Sequence, residues 1–234
     1  KHDVETNVKK ALDIAIIESQ HNICSTYYVQ AYLLKNNKKD LLKISSLGHE
    51  VTYHYDVLDS NKGNFELATS EFKNTINIFN EMNLDVNTIC PHGNPVYNRS
   101  GWSSNKDFFR NKKIVELFPN IIDIVVQLPD LLNYSYIYLS DASYNWKKIK
   151  NIESNDIKND GDEIIKNYDV FFNIISKTNN LIISSHPHRW EKSTAKMYIK
   201  IYRFKIVRYL AIFLLKFSLI NKVFSKFYYL AKKI

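Results

Sequence analysis

Apolar positions change period repeatedly along the first 190 residues. Val8, Leu12, Ile16 and Ile17 keep helical spacing across residues 7–21, and the β-rich run 23–29 follows as a strand. Leu41, Leu42 and Leu47 mark a short helix that Gly48 closes, a residue suited to the turn after a helix end. Residues 50–55 read as a strand, 64–82 as a helix with Phe65, Phe72, Ile76 and Phe79 on one side, and 85–90 as the next strand. A helix over 105–118 stops at Pro119, and strands follow at 121–126 and 136–139. A polar loop, 150–161, then leads to a helix over 162–178 and the apolar strand Leu181-Ile182-Ile183. Such alternation predicts an α/β fold built on a parallel sheet, open or closed into a barrel. The chain starts at Lys1, so the strand that carries His2 and Asp3 is expected to be cut short.

The last stretch reads differently. Residues 197–234 contain no Gly or Pro, and as a helix they align Ile199, Tyr202, Ile206, Leu210, Phe213 and Phe217 on one face, with Lys and Arg elsewhere. This predicts a basic amphipathic helical tail over 191–234, behind a barrel domain over 1–190. Its longest charge-free run, Tyr209 to Leu215, falls far short of the ~20 residues a membrane span requires. Docking on an anionic membrane surface and packing on the barrel flank are the two readings of the tail. A cytoplasmic protein, peripheral at the membrane, is the corresponding expectation.

Charge sharpens that division. Residues 189–234 hold twelve of the 32 basic and one of the 24 acidic residues, a local charge of +11 that leaves the remainder at −3. The overall +8 therefore describes the tail, and gives the body no nucleic-acid role. Two cysteines, Cys24 and Cys90, are too few for a disulfide framework and are expected as buried free thiols.

The candidate chemistry gathers at strand ends: His2 and Asp3, His54 and Asp56, Cys90-Pro91-His92-Gly93, Asp141, and Ser185-His186-Pro187-His188. In parallel β/α architectures the active site lies at the carboxyl ends of the strands. Imidazoles and carboxylates brought together there can bind a divalent ion and move a proton.

These segments resemble the NodB-type polysaccharide deacetylases, carbohydrate esterases that remove acetyl groups from sugars. They are closer to a divergent branch, associated with bacterial surface polysaccharides, whose first motif reads His-Asp-Val-Asp. Here that motif is His2-Asp3-Val4-Glu5, followed by Ser25-Thr26-Tyr27-Tyr28-Val29 and by Gly48-His49-Glu50-Val51-Thr52-Tyr53-His54. Pro91-His92-Gly93 resembles the third motif, Asp141 with Trp146 the fourth, and Ile183-Ser184-Ser185-His186-Pro187 the fifth. The resemblance implies a distorted (β/α) barrel of about seven parallel strands and a divalent metal ion, with zinc expected.

By the same resemblance Asp3 and His54 bind the metal, His186 is the general acid, and His2 takes the place of the catalytic base. His92, Asp141 and Trp146 are expected against the substrate, an acetylated glycan. Three positions depart from the family pattern: Leu58 where a second metal histidine belongs, Ile89 where the third motif has Arg, and His2 itself. The third ligand then falls to Glu5, Asp56 or His92, and Glu5 shares a strand face with Asp3. Asp3 beside a basic group is an alternative base. Trp102 and Tyr144 join Trp146 as aromatic rings able to stack on sugar. His49 reads as structural at the strand entry. An inactive, glycan-binding relative is the alternative to a deacetylase, and a glycosidase using Asp3 and Asp141 is a third reading.

Overall fold

Among the described residues seven strands run parallel in one continuous order, and their side-chain alternation separates an apolar outer core from a polar interior. The computed structural model describes residues 1–94, 99–132, 135–152 and 161–214. Strands β1 (His2–Val4), β2 (Thr26–Val29), β3 (Glu50–Tyr55), β4 (Thr88–Pro91) and β5 (Ile122–Asp123) pair in sequence order, all parallel. A second sheet contains β6 (Ile137–Ser140), β7 (Lys147–Ile149), β8 (Glu163–Ile164) and β9 (Leu181–Ser184) in the order β8-β7-β6-β9. Strand β9 is parallel to β6, while β7 and β8 form an antiparallel extension.

The two sheets meet at a parallel bridge between His2 and Ser185. There the Asp3 amide donates to Ser185 O (2.8 Å) and the Ser185 amide to Lys1 O (3.0 Å). The parallel run is therefore β5-β4-β3-β2-β1-β9-β6. No ladder joins β5 to β6 among the described residues, so this is a (β/α) barrel left open on one side.

Strand parity does the sorting. Val4, Tyr27, Val29, Val51, Tyr53, Tyr55 and Ile89 face the outer core, where they meet Ala11, Ala15, Leu34, Phe72 and Phe79 from the helices. The intervening positions Asp3, Tyr28, Thr52, His54 and Cys90 take the opposite face, and all of them are buried.

The helices are α1 (Val8–Gln20), α2 (Ala31–Ser46), α3 (Val57–Ser60), α4 (Phe65–Glu81), α5 (Asp107–Arg110), α6 (Lys112–Leu117), α7 (Leu128–Leu131) and α8 (Tyr168–Ser176). Several start on an Asn side chain that accepts from the first free amides: Asn7 from Lys10, Asn64 from Glu66 and Leu67, Asn167 from Val170. Gly48 closes the segment after α2 at φ +90°, the conformation its position predicted.

Six expectations need correction. Helix α1 buries Val8, Ala11 and Ala15, leaving Ile16 and Ile17 exposed, because small alanines let it approach the sheet closely. Helix α2 is far longer than the leucines suggested. The helix over 105–118 breaks at Asn111, whose extended backbone and side chain start a new helix by accepting from Lys113. Strand 121–126 stops after two residues, since the Asp123 carboxylate turns the chain by accepting from Val125 and Val126. Residues 163–164 pair with β7, so the helix expected from 162 begins at Tyr168. Cys24 is exposed, while Cys90 is buried; both thiols are free.

By backbone contacts the chain divides after His188. The second unit contains α9 (Thr194–Leu214), where Lys200 pairs with Glu191 at 2.8 Å. The tail expected beyond 214 lies outside the described residues. No described helix is long and apolar enough to cross a membrane.

Candidate metal centre and acid–base groups

Just past the end of β1, the Glu5 carboxylate faces four imidazoles. Oε1 lies 3.4 Å from His92 Nε2, 3.6 Å from His186 Nε2 and 3.9 Å from His54 Nε2, while Oε2 lies 3.7 Å from His188 Nε2. They come from three places in the barrel: His54 from β3, His92 from the segment leaving β4, and His186 and His188 from the segment leaving β9. Burial opposes ionisation of Glu5, but His186, His54 and His92 outweigh it and hold the carboxyl well below its usual range.

The tautomer of His54 is fixed by its surroundings. Its Nδ1 sits 3.0 Å from Cys90 O, a carbonyl that only accepts, so Nδ1 carries the proton and Nε2 points its lone pair toward Glu5. Burial lowers the His54 pKa although Asp3 and Glu5 oppose this, which favours the neutral, ligating form.

Asp3 has a different environment. Lys1 Nζ lies 2.6 and 2.7 Å from its two carboxylate oxygens, and Ser184 Oγ donates to Oδ2 at 3.1 Å. The same ammonium is 3.4 Å from Cys90 Sγ and 5.3 Å from the centre of the Tyr28 ring. Burial works against the Asp3 charge, but Lys1, His54 and His186 prevail and keep it ionised far below the usual range. Lys1 was not singled out in the sequence; the signal was its place two residues before Asp3, on the same strand face.

His186 is locked by Asp141. The carboxylate accepts from the His186 backbone amide (3.0 Å) and from Nδ1 (2.5 Å), leaving Nε2 to face Glu5 and, at 3.9 Å, Asp3 Oδ2. So Asp141, a candidate substrate contact from sequence, directly orients the candidate acid.

The structure does not bring the remaining candidates into this group. His2 turns to the helix side of β1, 2.7 Å from both Ser185 Oγ and Glu18 Oε1. The Trp146 ring packs on Phe171 (4.6 Å) within a separate apolar cluster, and Trp102 Nε1 donates to Asp59. Asp56 precedes α3 and belongs to neither potential ligand group among the described residues. His49 ties α1 to the residue before β2, through Ala15 O and the Ser25 amide.

Leu58 is fully buried in the outer core, so that turn of chain supplies no ligand. Its neighbour Asp59 instead accepts from Arg99, Trp102 and Asn105. Asn105 Nδ2 also donates to His92 O (2.9 Å), which sets the position of His92 from behind. Sequence spacing gave no hint of this arrangement, because the partners lie 13 and 46 residues apart.

Among the described residues, two groups place their ligand atoms within 4.8 Å of one another: Asp3, His54 and Cys90; and Glu5, His54 and His92. The first is a poor cation site. Lys1 already sits on Asp3 and beside Cys90, and burial pushes the thiol pKa up, against the thiolate a metal needs. The second is well formed. Ligands about 2.1 Å from a tetrahedral ion lie about 3.4 Å apart, close to the Glu5 separations from His92 and His54. Of the three residues left open as a third ligand, Glu5 and His92 both belong to this set.

No family model matches the chain, and no curated protein matches it. Among solved structures the fold is similar to carbohydrate esterases of family 4. One is a mutant of the pseudoenzyme BA3943 with restored enzymatic activity, at TM-score 0.46 and 15% identity over 87% of this chain and 60% of that chain. Wild-type BA3943 from Bacillus anthracis gives TM-score 0.46 and 14% identity over 87% of this chain and 58% of that one. A family 4 carbohydrate esterase from Streptomyces lividans, in complex with acetate, gives 0.46 and 13% over 88% and 85%. The chain thus spans less than two thirds of the BA3943 structures.

Proposed function

We propose that this chain is a metal-dependent carbohydrate deacetylase acting on a bacterial surface polysaccharide or its lipid-linked precursor. Glu5, His54 and His92 would hold the ion, with zinc expected from two imidazoles and one carboxylate. The observation that carries the reading is the separation of three tasks within one buried group. Glu5, His54 and His92 bring their ligand atoms within 4.8 Å of one another, Asp3 is gripped by Lys1, and His186, though its Nε2 faces Glu5, is held at Nδ1 by Asp141.

A divalent ion held by Glu5, His54 and His92 would supply Lewis acidity toward an acetyl carbonyl and toward water. Asp3, kept ionised by Lys1, takes a proton from the attacking water as its oxygen joins the carbonyl carbon. His186 delivers a proton from Nε2 to the departing nitrogen or oxygen as the acyl bond breaks, giving acetate and the free amine or hydroxyl. Asp141 accepts from Nδ1 and prevents the ring from turning.

The test is acetate release from acetylated oligosaccharides by the zinc-loaded protein. Asp3→Asn and His186→Ala are each expected to lower kcat by roughly 10²–10⁴-fold with zinc still bound. Bound zinc and bound glycan with no acetate released would favour the inactive, glycan-binding alternative.

Attachment of the second unit to an anionic membrane surface at the cytoplasmic face is supported by the exposed Tyr198, Ile199, Tyr202 and Ile206 of α9 alongside exposed Arg203 and Lys205. Co-sedimentation with phosphatidylserine vesicles, lost when residues 197–234 are removed, tests it.

A further inference from the structure

On the helix side of β1, away from the metal group, a polar chain crosses the seam between the two sheets. Ser185 Oγ lies 2.7 Å from His2 Nδ1, and His2 Nε2 lies 2.7 Å from Glu18 Oε1. Glu18 also accepts from Tyr27 OH (2.6 Å) and Ser25 Oγ (3.0 Å), and the His2 ring stacks on Tyr27 with centroids 4.5 Å apart. Since the Glu18 carboxylate only accepts, His2 Nε2 carries the proton. The Nδ1 of the neutral ring then accepts, so Ser185 donates. His2 and Ser185 are both buried.

The position of this chain gives it a task. His2 and Ser185 are partners across the one bridge between β1 and the β9 end among the described residues, a short seam in which Asp3 N donates to Ser185 O. Each partner has a neighbour on the site-facing side: Asp3 follows His2, and His186 follows Ser185. A strand slip of one residue would turn such neighbours to the other face. We infer that Ser185, His2 and Glu18 form a positioning relay, which pins the seam so that Asp3 and His186 stand opposite each other. The relay reassigns His2, expected from its sequence motif to be a base, to a role exerted through Ser185.

The inference rests on Asp3 and His186 as base and acid, but its test needs no turnover. The Nδ1 proton of His186, in a short bond to Asp141, gives a separate downfield NMR signal, and amide exchange reports the Asp3 and Ser185 seam bonds. Ser185→Ala removes only the hydroxyl. It is expected to shift or broaden the His186 signal and to speed exchange of the Asp3 amide by roughly tenfold, the loss of about one net hydrogen bond. Zinc affinity should stay unchanged, and Ser185→Thr, which keeps the hydroxyl, should restore both readouts. Should Ser185→Ala fail to fold, Glu18→Gln is read for the same His186 shift. An unmoved His186 signal in folded protein, or an equal disturbance in Ser185→Thr, overturns the relay. A wild-type protein that releases no acetate yet shows the Ser185→Ala effects contradicts the deacetylase reading alone.

Discussion

Lys1 Nζ grips both carboxylate oxygens of Asp3, at 2.6 and 2.7 Å, with the two side chains only 6% and 9% exposed. Where the resembled family places an Arg in its third motif, this chain has Ile89, buried in the outer core. A cation arrives instead from the same strand as the carboxylate. Removing it leaves a buried charge without its partner, at a cost of about 3–5 kcal/mol. Lys1→Met should therefore lower unfolding free energy by about that amount in denaturant titrations. Lys1→Met combined with Asp3→Asn should recover most of it, a coupling that a double-mutant cycle reads directly.

Asn105 bridges Asp59 to the backbone of His92 without touching the ligand group itself. Groups that orient metal ligands from behind typically contribute 10–100-fold in metal affinity. Asn105→Ala is expected to weaken zinc binding by roughly that factor in a chelator competition, with the fold retained by circular dichroism.

Asp123 has no solvent exposure, and burial raises its pKa to about 6 despite bonds from Tyr55 and two backbone amides. Its folded pKa thus lies above the unfolded value of 3.8. Stability from this group is fully present below pH 3.8, declines as pH rises from 3.8 to about 6, and is constant above that. Asp123→Asn keeps an acceptor and cannot ionise. Its stability relative to wild type should climb by roughly 3 kcal/mol across that window and then level off. Urea unfolding at a series of pH values checks this; a flat difference would contradict it.

Phe72 touches the rings of Tyr53, Tyr55, Phe108, Phe109 and Phe118, at centroid distances from 4.8 to 5.9 Å. It joins α4 to β3 and to the segment after β4. Phe72→Ala should cost about 3–5 kcal/mol in thermal or chemical unfolding, the usual range for a fully buried ring.

Strand positions were legible from sequence because period and burial coincide there: 50–55 and 181–183 alternate or run apolar just where the sheet needs them. The helical face of α1 was misread because Ala11 and Ala15 carry little hydrophobic signal yet pack closest. Breaks at Asn111 and Asp123 went unseen, since one Asn or Asp side chain redirecting the backbone leaves no periodic trace. In the site, the clustering of His and acidic residues at strand ends was visible. The division of roles was not, because it depends on which face His2 takes and on what Lys1, Asn105 and Asp141 hold in place. Strand parity alone separated Asp3 and Glu5 from His2.

The central claim is that Glu5, His54 and His92 hold one divalent ion while Asp3 stays outside its ligand set. Zinc titration of the purified chain by calorimetry, with element analysis of the loaded protein, tests it most directly. The expected result is one zinc per chain, lost in His54→Ala and in His92→Ala and retained in Asp3→Asn. Absence of zinc binding, binding that survives His92→Ala undiminished, or binding abolished by Asp3→Asn would contradict the account.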